Sequence, residues 1–162
     1  MISVRPATLQ DAAAIARIYN EAVLTSAATF DTEPKSEEDR RAWLAKHGSR
    51  HPVWVAEMEG EVVGWASLSE WSDRCAYSDT AENSVYVASS QFGKGVGRQL
   101  MKTLVDGARK AKIHTIIARI AGESEISIRL HEQFGFSKIG TMKEVGKKFG
   151  RLHDVHLYQV IL

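Results

Sequence analysis

The sequence predicts a single-domain α/β fold in which helices flank a mixed central β-sheet. Strand-like and helical periodicities alternate along the chain, and a strand, a glycine-rich loop, a helix and another strand follow one another at its centre. The length of 162 residues is enough for one hydrophobic core and too short for two ordinary domains. Hydrophobic residues make up 44% and charged residues 25%, as in globular proteins. We therefore assign residues 1–162 to one domain.

The first half of the chain predicts a strand, two helices and a β-hairpin. Thr8 begins the first helix as a hydroxyl cap, and Ser36 begins the second ahead of three acidic residues that favour a helix N-terminus. The Glu59-Gly60 pair lies between two apolar, β-rich runs and indicates a tight turn. A loop over 25–35 separates the two helices. The elements are predicted at residues 2–5, 8–23, 36–47, 53–58 and 61–68.

The second half predicts a strand, a helix, a strand, a short helix and two final strands. Leu100, Met101 and Leu104 recur on one face of the longer helix, as expected for packing against a sheet. Because that helix connects the strands on either side of it, those strands are expected to pair in parallel. Residues 143–151 are basic and rich in glycine, and they predict a solvated loop. The elements are predicted at residues 82–87, 98–110, 114–120, 124–133, 136–142 and 155–162.

A glycine-rich loop at the centre of the chain predicts an anion-binding site. Gly93, Gly95 and Gly97 lie between a predicted strand and a predicted helix, where backbone N–H groups and the helix N-terminus favour a phosphate or pyrophosphate. The Walker A pattern is absent, and the spacing Gly-x-Gly-x-Gly differs from the dinucleotide fingerprint Gly-x-Gly-x-x-Gly. The spacing alone also allows a glycine turn that binds no ligand.

The overall composition gives no reason to expect nucleic acid, a membrane or a metal as partner. The net charge is +1, and no apolar run reaches the roughly 18 residues of a membrane span. Cys75 is the only cysteine, which excludes an internal disulfide and fits a reducing cytoplasm. The N-terminal residues lack the features of a signal peptide. His153, Asp154 and His156 do not predict a metal site, because alternation along a strand separates Asp154 from His153. We therefore expect a cytoplasmic protein.

Two motifs resemble those of the GNAT superfamily of N-acetyltransferases. The pyrophosphate loop of that superfamily reads Arg/Gln-x-x-Gly-x-Gly/Ala, and residues 92–97 are similar, with Phe92 at the first position. A second motif, Asn-x-x-Ser/Ala-x-x-Leu-Tyr-x-x-x-Gly-Phe, is similar to residues 124–136, with His131 at the Tyr position. The resemblance implies a GNAT fold and acetyl-CoA as co-substrate. The residues that it implies for acetyl-CoA binding are Val85, Tyr86, Val87, Phe92, Gly93, Lys94, Gly95, Val96, Gly97, Arg98, Ser124 and Ser127.

Further segments resemble the phosphinothricin acetyltransferases within this superfamily. These segments are residues 30–34, 74–77, 80–87 and 153–154. The relatives also carry His at the position of His131, so the resemblance covers nearly the whole chain. It implies a homodimer that acetylates the α-amine of phosphinothricin, methionine sulfoximine, methionine sulfone or a similar amino acid. Leu152 and Cys75 differ from the residues that are usual in the subfamily, so the exact substrate stays open.

The predicted chemistry is the transfer of an acetyl group to an amine. Such an amine is mostly protonated near neutral pH, so a base must accept a proton. Glu82 is the predicted base, because it lies on the strand that leads to the glycine loop, and the resemblance implies the same role. His131 is predicted to donate a proton to the leaving CoA thiolate or to bind it. Besides Glu82, the predicted substrate contacts are Phe30, Arg74 and Tyr77, with Arg74 binding a carboxylate.

Alternation along residues 82–87 places Glu82, Ser84 and Tyr86 on one face of the strand. The backbone groups of Val85 and Val87 are expected to pair with the extended pantetheine arm of acetyl-CoA as an added strand does.

Two other functions fit the same motifs. One is a protein acetyltransferase that acts on N-termini or lysines and needs an open groove in place of a covered pocket. The other is an acyl-CoA-binding sensor without turnover, which keeps the glycine loop but does not depend on Glu82.

Overall fold

The computed structural model describes residues 1–162, and its elements follow the predicted order. The strands are β1 Ile2–Pro6, β2 Val53–Met58, β3 Glu61–Glu70, β4 Thr80–Val87, β5 Thr115–Ala121, β6 Ser137–Lys148 and β7 Arg151–Ile161. The helices are α1 Ala12–Thr25, α2 Glu37–Ala45, α3 Val96–Lys110 and α4 Glu125–Gln133. The seven strands form one sheet in the order β1-β2-β3-β4-β5-β7-β6. The predicted mixed α/β fold with flanking helices is confirmed.

Local signals explain where several elements begin and end. The Ser36 side chain accepts a hydrogen bond of 3.0 Å from the backbone N–H of Asp39 and caps α2. Glu59 and Gly60 have φ values of 52° and 83°, as a two-residue hairpin turn between β2 and β3 requires. The turn allows β3 to pair antiparallel with β2.

The helices cover both faces of the sheet. Helices α1 and α2 pack on one face against a cluster that includes Val55 and Trp65. Helix α3 packs on the other face, where Leu100 and Leu104 are fully buried. No helix is both long enough and apolar enough to cross a membrane.

Strands β4 and β5 pair in parallel, as predicted, but only over a short stretch. Their pairing covers Thr80 to Glu82, whereas β4 continues beside β3 as far as Val87. Residues 83–87 therefore have no strand partner on the β5 side. An edge of this kind presents unpaired backbone N–H and C=O groups to whatever lies beside it.

Residues 143–151 form part of a β-hairpin, so the prediction of a solvated loop is wrong. Strand β6 continues to Lys148 and β7 begins at Arg151, which leaves only Phe149 and Gly150 in the turn. A register shift inside β6 interrupts the alternation of side chains between the two faces. The interruption removes the periodic signal that identifies a strand in the sequence.

Candidate active site

A cavity of about 340 Å³ opens where β4 and β5 diverge. Its walls come from these two strands, from the loop between α1 and α2, from α4 with the preceding Ser124, and from Val155 of β7. A volume of this size is at the lower end of the range for small-molecule sites. The unpaired edge of β4 thus faces a cavity whose other walls come from four further elements.

Glu82 lies at the point of divergence, as the last β4 residue paired with β5. It lines the cavity, and 25% of its side chain is exposed. Burial raises the pKa of the Glu82 carboxyl above its ordinary value, and the positive charge of Arg119 opposes that rise. A carboxylate with a raised pKa in a cavity is suited to accept a proton from a bound molecule.

Arg119 of β5 is the cation beside this carboxylate. Its Nε lies 3.0 Å from Glu82 Oε2, and its guanidinium carbon lies 4.9 Å from the centre of the Trp71 ring. The Arg119 side chain is 51% exposed and lines the cavity. The site therefore combines a carboxylate that is mostly shielded from solvent with a guanidinium that is half open to it.

His131 is a buried residue of the cavity wall, and both of its ring nitrogens have partners. Its Nδ1 lies 2.7 Å from the carbonyl oxygen of Ser127, so this nitrogen donates its proton there. Its Nε2 lies 3.0 Å from the side-chain nitrogen of Asn83 and accepts a hydrogen bond from it. Burial lowers the pKa of the imidazole, and the bond to Ser127 opposes that fall. The neutral ring thus fixes the orientation of the Asn83 amide.

The glycine loop leads directly into α3. The backbone φ is 78° at Gly93 and 87° at Gly95, values that favour glycine. Helix α3 begins at Val96, two residues earlier than predicted, so the first N–H groups of the helix adjoin the loop. Gly97 lies in the first turn, where an added Cβ would stand 3.4 Å from Leu130 of α4. Loop and helix N-terminus together form an exposed cradle suited to an anion.

The loop between α1 and α2 is held against the cavity from two sides. The buried Lys148 of β6 donates a 2.8 Å hydrogen bond to the carbonyl oxygen of Thr29. On the other side, the Tyr19 hydroxyl of α1 lies 2.7 Å from Thr29 Oγ1. The Phe30 ring occupies the space beside Gly146 of β6, where an added Cβ would lie 2.2 Å from it. These contacts keep Thr29 and Phe30 in the cavity wall.

The structure brings part of the predicted site together around one cavity. The predicted residues that line it are Phe30, Glu82, Val85, Tyr86, Ser124, Ser127 and His131. Arg74 and Tyr77 lie instead at an exposed 3-10 helix over 75–77, outside the cavity lining. The glycine loop and Val87 also lie outside the lining, farther along β4 and its continuation.

Sequence reasoning missed three residues of this region. Arg119, Asn83 and Lys148 make their contacts with residues far away in the sequence, at Glu82, His131 and Thr29 respectively. For Arg119, the only available signal was a charged residue in a strand that is otherwise apolar. No group of three or more His, Cys, Asp or Glu side chains is arranged to hold a metal ion.

The family model of the acetyltransferase (GNAT) domain matches residues 4–157, almost the whole length of the fold. This chain belongs to the GNAT acetyltransferase family. Among its GNAT relatives is the L-methionine sulfoximine/L-methionine sulfone acetyltransferase of Salmonella typhimurium, which is 40% identical over 99% of this chain and 95% of its own. The phosphinothricin N-acetyltransferase of Streptomyces coelicolor is 39% identical over 98% of this chain and 95% of its own.

A solved GNAT structure extends the similarity to the fold. The acetyltransferase of Salmonella typhimurium with its cofactor acetyl-CoA superposes with a TM-score of 0.96 and 40% identity, covering 99% of this chain and 94% of that one. The predicted resemblance to the phosphinothricin and methionine sulfoximine acetyltransferases of the GNAT family is thus confirmed. As a member of this family, the protein is an N-acetyltransferase.

Proposed function

We propose that this GNAT protein transfers the acetyl group of acetyl-CoA directly to the α-amine of a small amino-acid-like substrate, with Glu82 as general base. The observation that carries the proposal is the position of the mostly buried Glu82 carboxyl in the cavity wall, at the point where β4 and β5 diverge. Burial there also raises the pKa of the carboxyl. The names of the relatives support phosphinothricin, methionine sulfoximine and methionine sulfone as the substrate type.

The residues present fit acetyl-CoA at three places. The unpaired edge of β4 offers the backbone of Val85 and Val87 to an extended pantetheine arm. The cradle from Gly93 to Gly97 offers N–H groups to a pyrophosphate. In the cavity wall, the buried Oδ1 of Asn83 lacks a hydrogen-bond partner and is available to a donor on a bound ligand. Predicted contacts from Phe92, Lys94, Arg98, Ser124 and Ser127 complete the proposed site.

The proposed step begins with proton transfer from the substrate ammonium to the Glu82 carboxylate. The free amine then attacks the acetyl carbonyl carbon, so that a C–N bond forms while the C–S bond to CoA breaks. The nitrogen loses its second proton as the amide forms, and the departing CoA thiolate takes up that proton. Glu82 then releases the first proton to solvent. Burial of Glu82 assists the first transfer because a higher pKa makes the carboxylate a stronger base.

In this proposal His131 is a positioning residue and does not contact the reacting atoms. The sequence predicts that it protonates or binds the leaving thiolate. In the structure both ring nitrogens already have protein partners, and burial favours the neutral ring. We infer that His131 acts through Asn83, whose amide it orients in the cavity wall.

Steady-state measurement of CoA release with a thiol reagent tests the proposed reaction. The acceptors are methionine sulfoximine, phosphinothricin, methionine sulfone, common amino acids and a lysine peptide. We expect turnover with the amino-acid analogues. Replacing Glu82 by Gln should lower kcat by roughly 10²- to 10⁴-fold, because a general base contributes about that much, and should leave acetyl-CoA affinity within about twofold.

Glu70→Gln is the matched control, since Glu70 is an exposed carboxylate at the end of the neighbouring strand β3. It should keep wild-type kcat. Turnover of the peptide alone would replace the proposal by protein acetylation, and acetyl-CoA binding without any turnover would indicate a sensor. Intact kcat in Glu82→Gln would exclude Glu82 as the base.

The proposal includes several further predictions from the sequence. They are a cytoplasmic homodimer without a nucleic-acid, membrane or metal partner, and substrate contacts from Phe30, Arg74 and Tyr77. The exposed apolar side chains Val145, Phe149 and Leu152 on the β6–β7 hairpin support a protein contact at that end of the sheet.

A further inference from the structure

We propose that Arg119 binds the α-carboxylate of the amino-acid substrate while remaining paired with Glu82. The inference rests on the proposed function and deepens it, because it names the residue that selects an amino acid over a simple amine. Neither composition nor motif singles out Arg119. What singles out Arg119 is its position beside Glu82, the candidate base.

The guanidinium of Arg119 has hydrogen-bonding capacity that the protein leaves unused. An arginine carries five N–H donors, and here Nε faces Glu82 at 3.0 Å. The guanidinium approaches Glu82 through Nε, so the edge formed by its two terminal nitrogens is not the one that faces this carboxylate. The side chain is 51% exposed and lines the cavity, so these nitrogens can be reached by a ligand. A free guanidinium edge of this kind is a good partner for a carboxylate.

The surroundings of Arg119 hold the guanidinium in one place. The ring of Trp71 lies 4.9 Å from the guanidinium carbon and favours a stacked cation. Arg119 itself belongs to β5 just beyond Ile117, the last β5 residue paired with β4. The strand therefore fixes the backbone of Arg119, and the divergence of β4 and β5 leaves room beside its side chain. A group that is ordered before binding loses less entropy when the ligand arrives.

The pair of Glu82 and Arg119 matches the two charged groups of an α-amino acid. A single carbon separates the amine of such a substrate from its carboxylate. The carboxylate oxygen Glu82 Oε2 and the nitrogen Arg119 Nε are likewise adjacent, 3.0 Å apart. One substrate can therefore place its amine at Glu82 and its carboxylate at the free edge of Arg119. A simple amine fills only the first of these places.

Arg74, which the sequence analysis predicts as the carboxylate ligand, is less well placed in this structure. It is exposed, it precedes the 3-10 helix over 75–77, and it does not line the cavity. We therefore assign the α-carboxylate to Arg119 and leave Arg74 to the remainder of the substrate.

Comparison of methionine sulfone with its carboxamide, which has the same amine but no carboxylate, tests the assignment. The quantity measured is the ratio of kcat/KM for the acid to kcat/KM for the amide. Arg119→Met should lower this ratio by roughly 10- to 100-fold, as expected for loss of hydrogen bonds to a charged group. Any effect on Glu82 itself lowers both rates together and cancels in the ratio. Arg119→Lys should recover part of the ratio, because it keeps the charge without the planar edge.

Arg109→Met is the matched control, since the Arg109 side chain is 58% exposed and lies at the far end of α3. It should keep the wild-type ratio. An unchanged ratio in Arg119→Met overturns the proposal, and a collapse of the ratio in Arg74→Met alone restores Arg74 as the carboxylate ligand.

Calorimetric binding of methionine sulfone in the presence of CoA separates this inference from the proposed function. If the wild type shows no turnover, the proposed function fails. Weaker binding of methionine sulfone to Arg119→Met than to Arg109→Met would still support the assignment of the α-carboxylate to Arg119. Equal binding in the two variants, or no binding to the wild type, overturns it.

Discussion

At the scale of single residues, His131 shows how burial fixes a protonation state. With Nδ1 bonded to Ser127 and Nε2 to Asn83, the ring can keep both contacts only while it is neutral. Its pKa is lowered from an ordinary value of 6.5. Just below pH 6.5 His131 becomes protonated in the unfolded chain, while in the folded protein it remains mostly neutral. The stabilising contribution of His131 is therefore fully present above this pH and is lost as the pH falls from 6.5 through the lowered pKa of the folded state.

His131→Gln should flatten the dependence of stability on pH. The free energy of unfolding, measured with urea at about pH 7.5 and about pH 5.5, should fall less in the variant than in the wild type. A single titrating group accounts for at most about 1.4 kcal/mol per pH unit. The wild type should lose more stability than the variant, because at about pH 5.5 unfolding of the wild type includes protonation of His131 and the variant has no imidazole at this position.

His156→Gln is the control for this effect, because His156 is a half-buried imidazole on β7 that bonds to the Thr141 hydroxyl. It should keep the wild-type slope. Burial also lowers the pKa of His51, but that contribution is common to all three proteins. Parallel slopes for His131→Gln and wild type would show that folding does not lower the pKa of His131.

At the scale of elements, the junction of β4 and α3 depends on glycine geometry. Gly95 has a φ of 87° and Gly60, in the distant β2–β3 turn, has a φ of 83°. An added Cβ at either position meets no atom within 4 Å. Replacing either glycine by Ala should therefore cost a similar amount of stability, about 1 to 2 kcal/mol of backbone strain.

The two variants should differ in ligand binding. Gly95→Ala should weaken acetyl-CoA binding about tenfold or more, because relief of the strain moves N–H groups that form the anion cradle. Gly60→Ala should bind acetyl-CoA as the wild type does. Urea unfolding and calorimetric titration provide the two measurements. Equal affinity in both variants would exclude a role of this loop geometry in binding.

The order of elements could be predicted because each element carries its own local signal. Ser36 caps α2 with its own side chain, and Gly60 supplies the left-handed backbone of a tight turn. The second half of β6 could not be predicted, because a register shift removes the alternation and Lys148 is buried there. Lys148 donates a hydrogen bond to the carbonyl oxygen of Thr29. The sequence around Lys148 gives no sign of this distant partner.

The candidate site could be predicted where a motif is continuous in the sequence. Glu82 precedes the glycine loop by a fixed short distance, and both follow from one strand–loop–helix pattern. Arg119 could not be predicted, since its contact with Glu82 depends on the register at which β4 and β5 meet and then separate. Sequence reasoning thus predicts both the proposed base and the proposed cradle. The structure adds Arg119, whose charge opposes the rise in the pKa of Glu82, and the side chains that line the cavity.

At the scale of the whole molecule, the divergence of β4 and β5 divides the sheet. Strands β1 to β4 lie on one side and β5 to β7 on the other, and direct strand pairing across the division covers only Thr80 to Glu82. The cavity takes walls from both sides. Few backbone hydrogen bonds connect the β1–β4 side of the sheet to the β5–β7 side. A ligand that pairs with β4 and also contacts α4 therefore adds contacts between these two sides.

Acetyl-CoA should consequently stabilise the entire fold. At a concentration of about 100 times its Kd, a ligand specific for the native state adds about 2.7 kcal/mol to the free energy of unfolding. For a chain of 162 residues this corresponds to a rise in Tm of roughly 5 to 10 °C. Calorimetric scans with increasing acetyl-CoA measure the rise. S-acetylpantetheine, which lacks the pyrophosphate, should produce a smaller shift at the same concentration because it leaves the cradle at Gly93 to Gly97 empty. Equal shifts would show that the cradle contributes nothing to binding, and the absence of any shift with acetyl-CoA would show that the native cavity does not accept it.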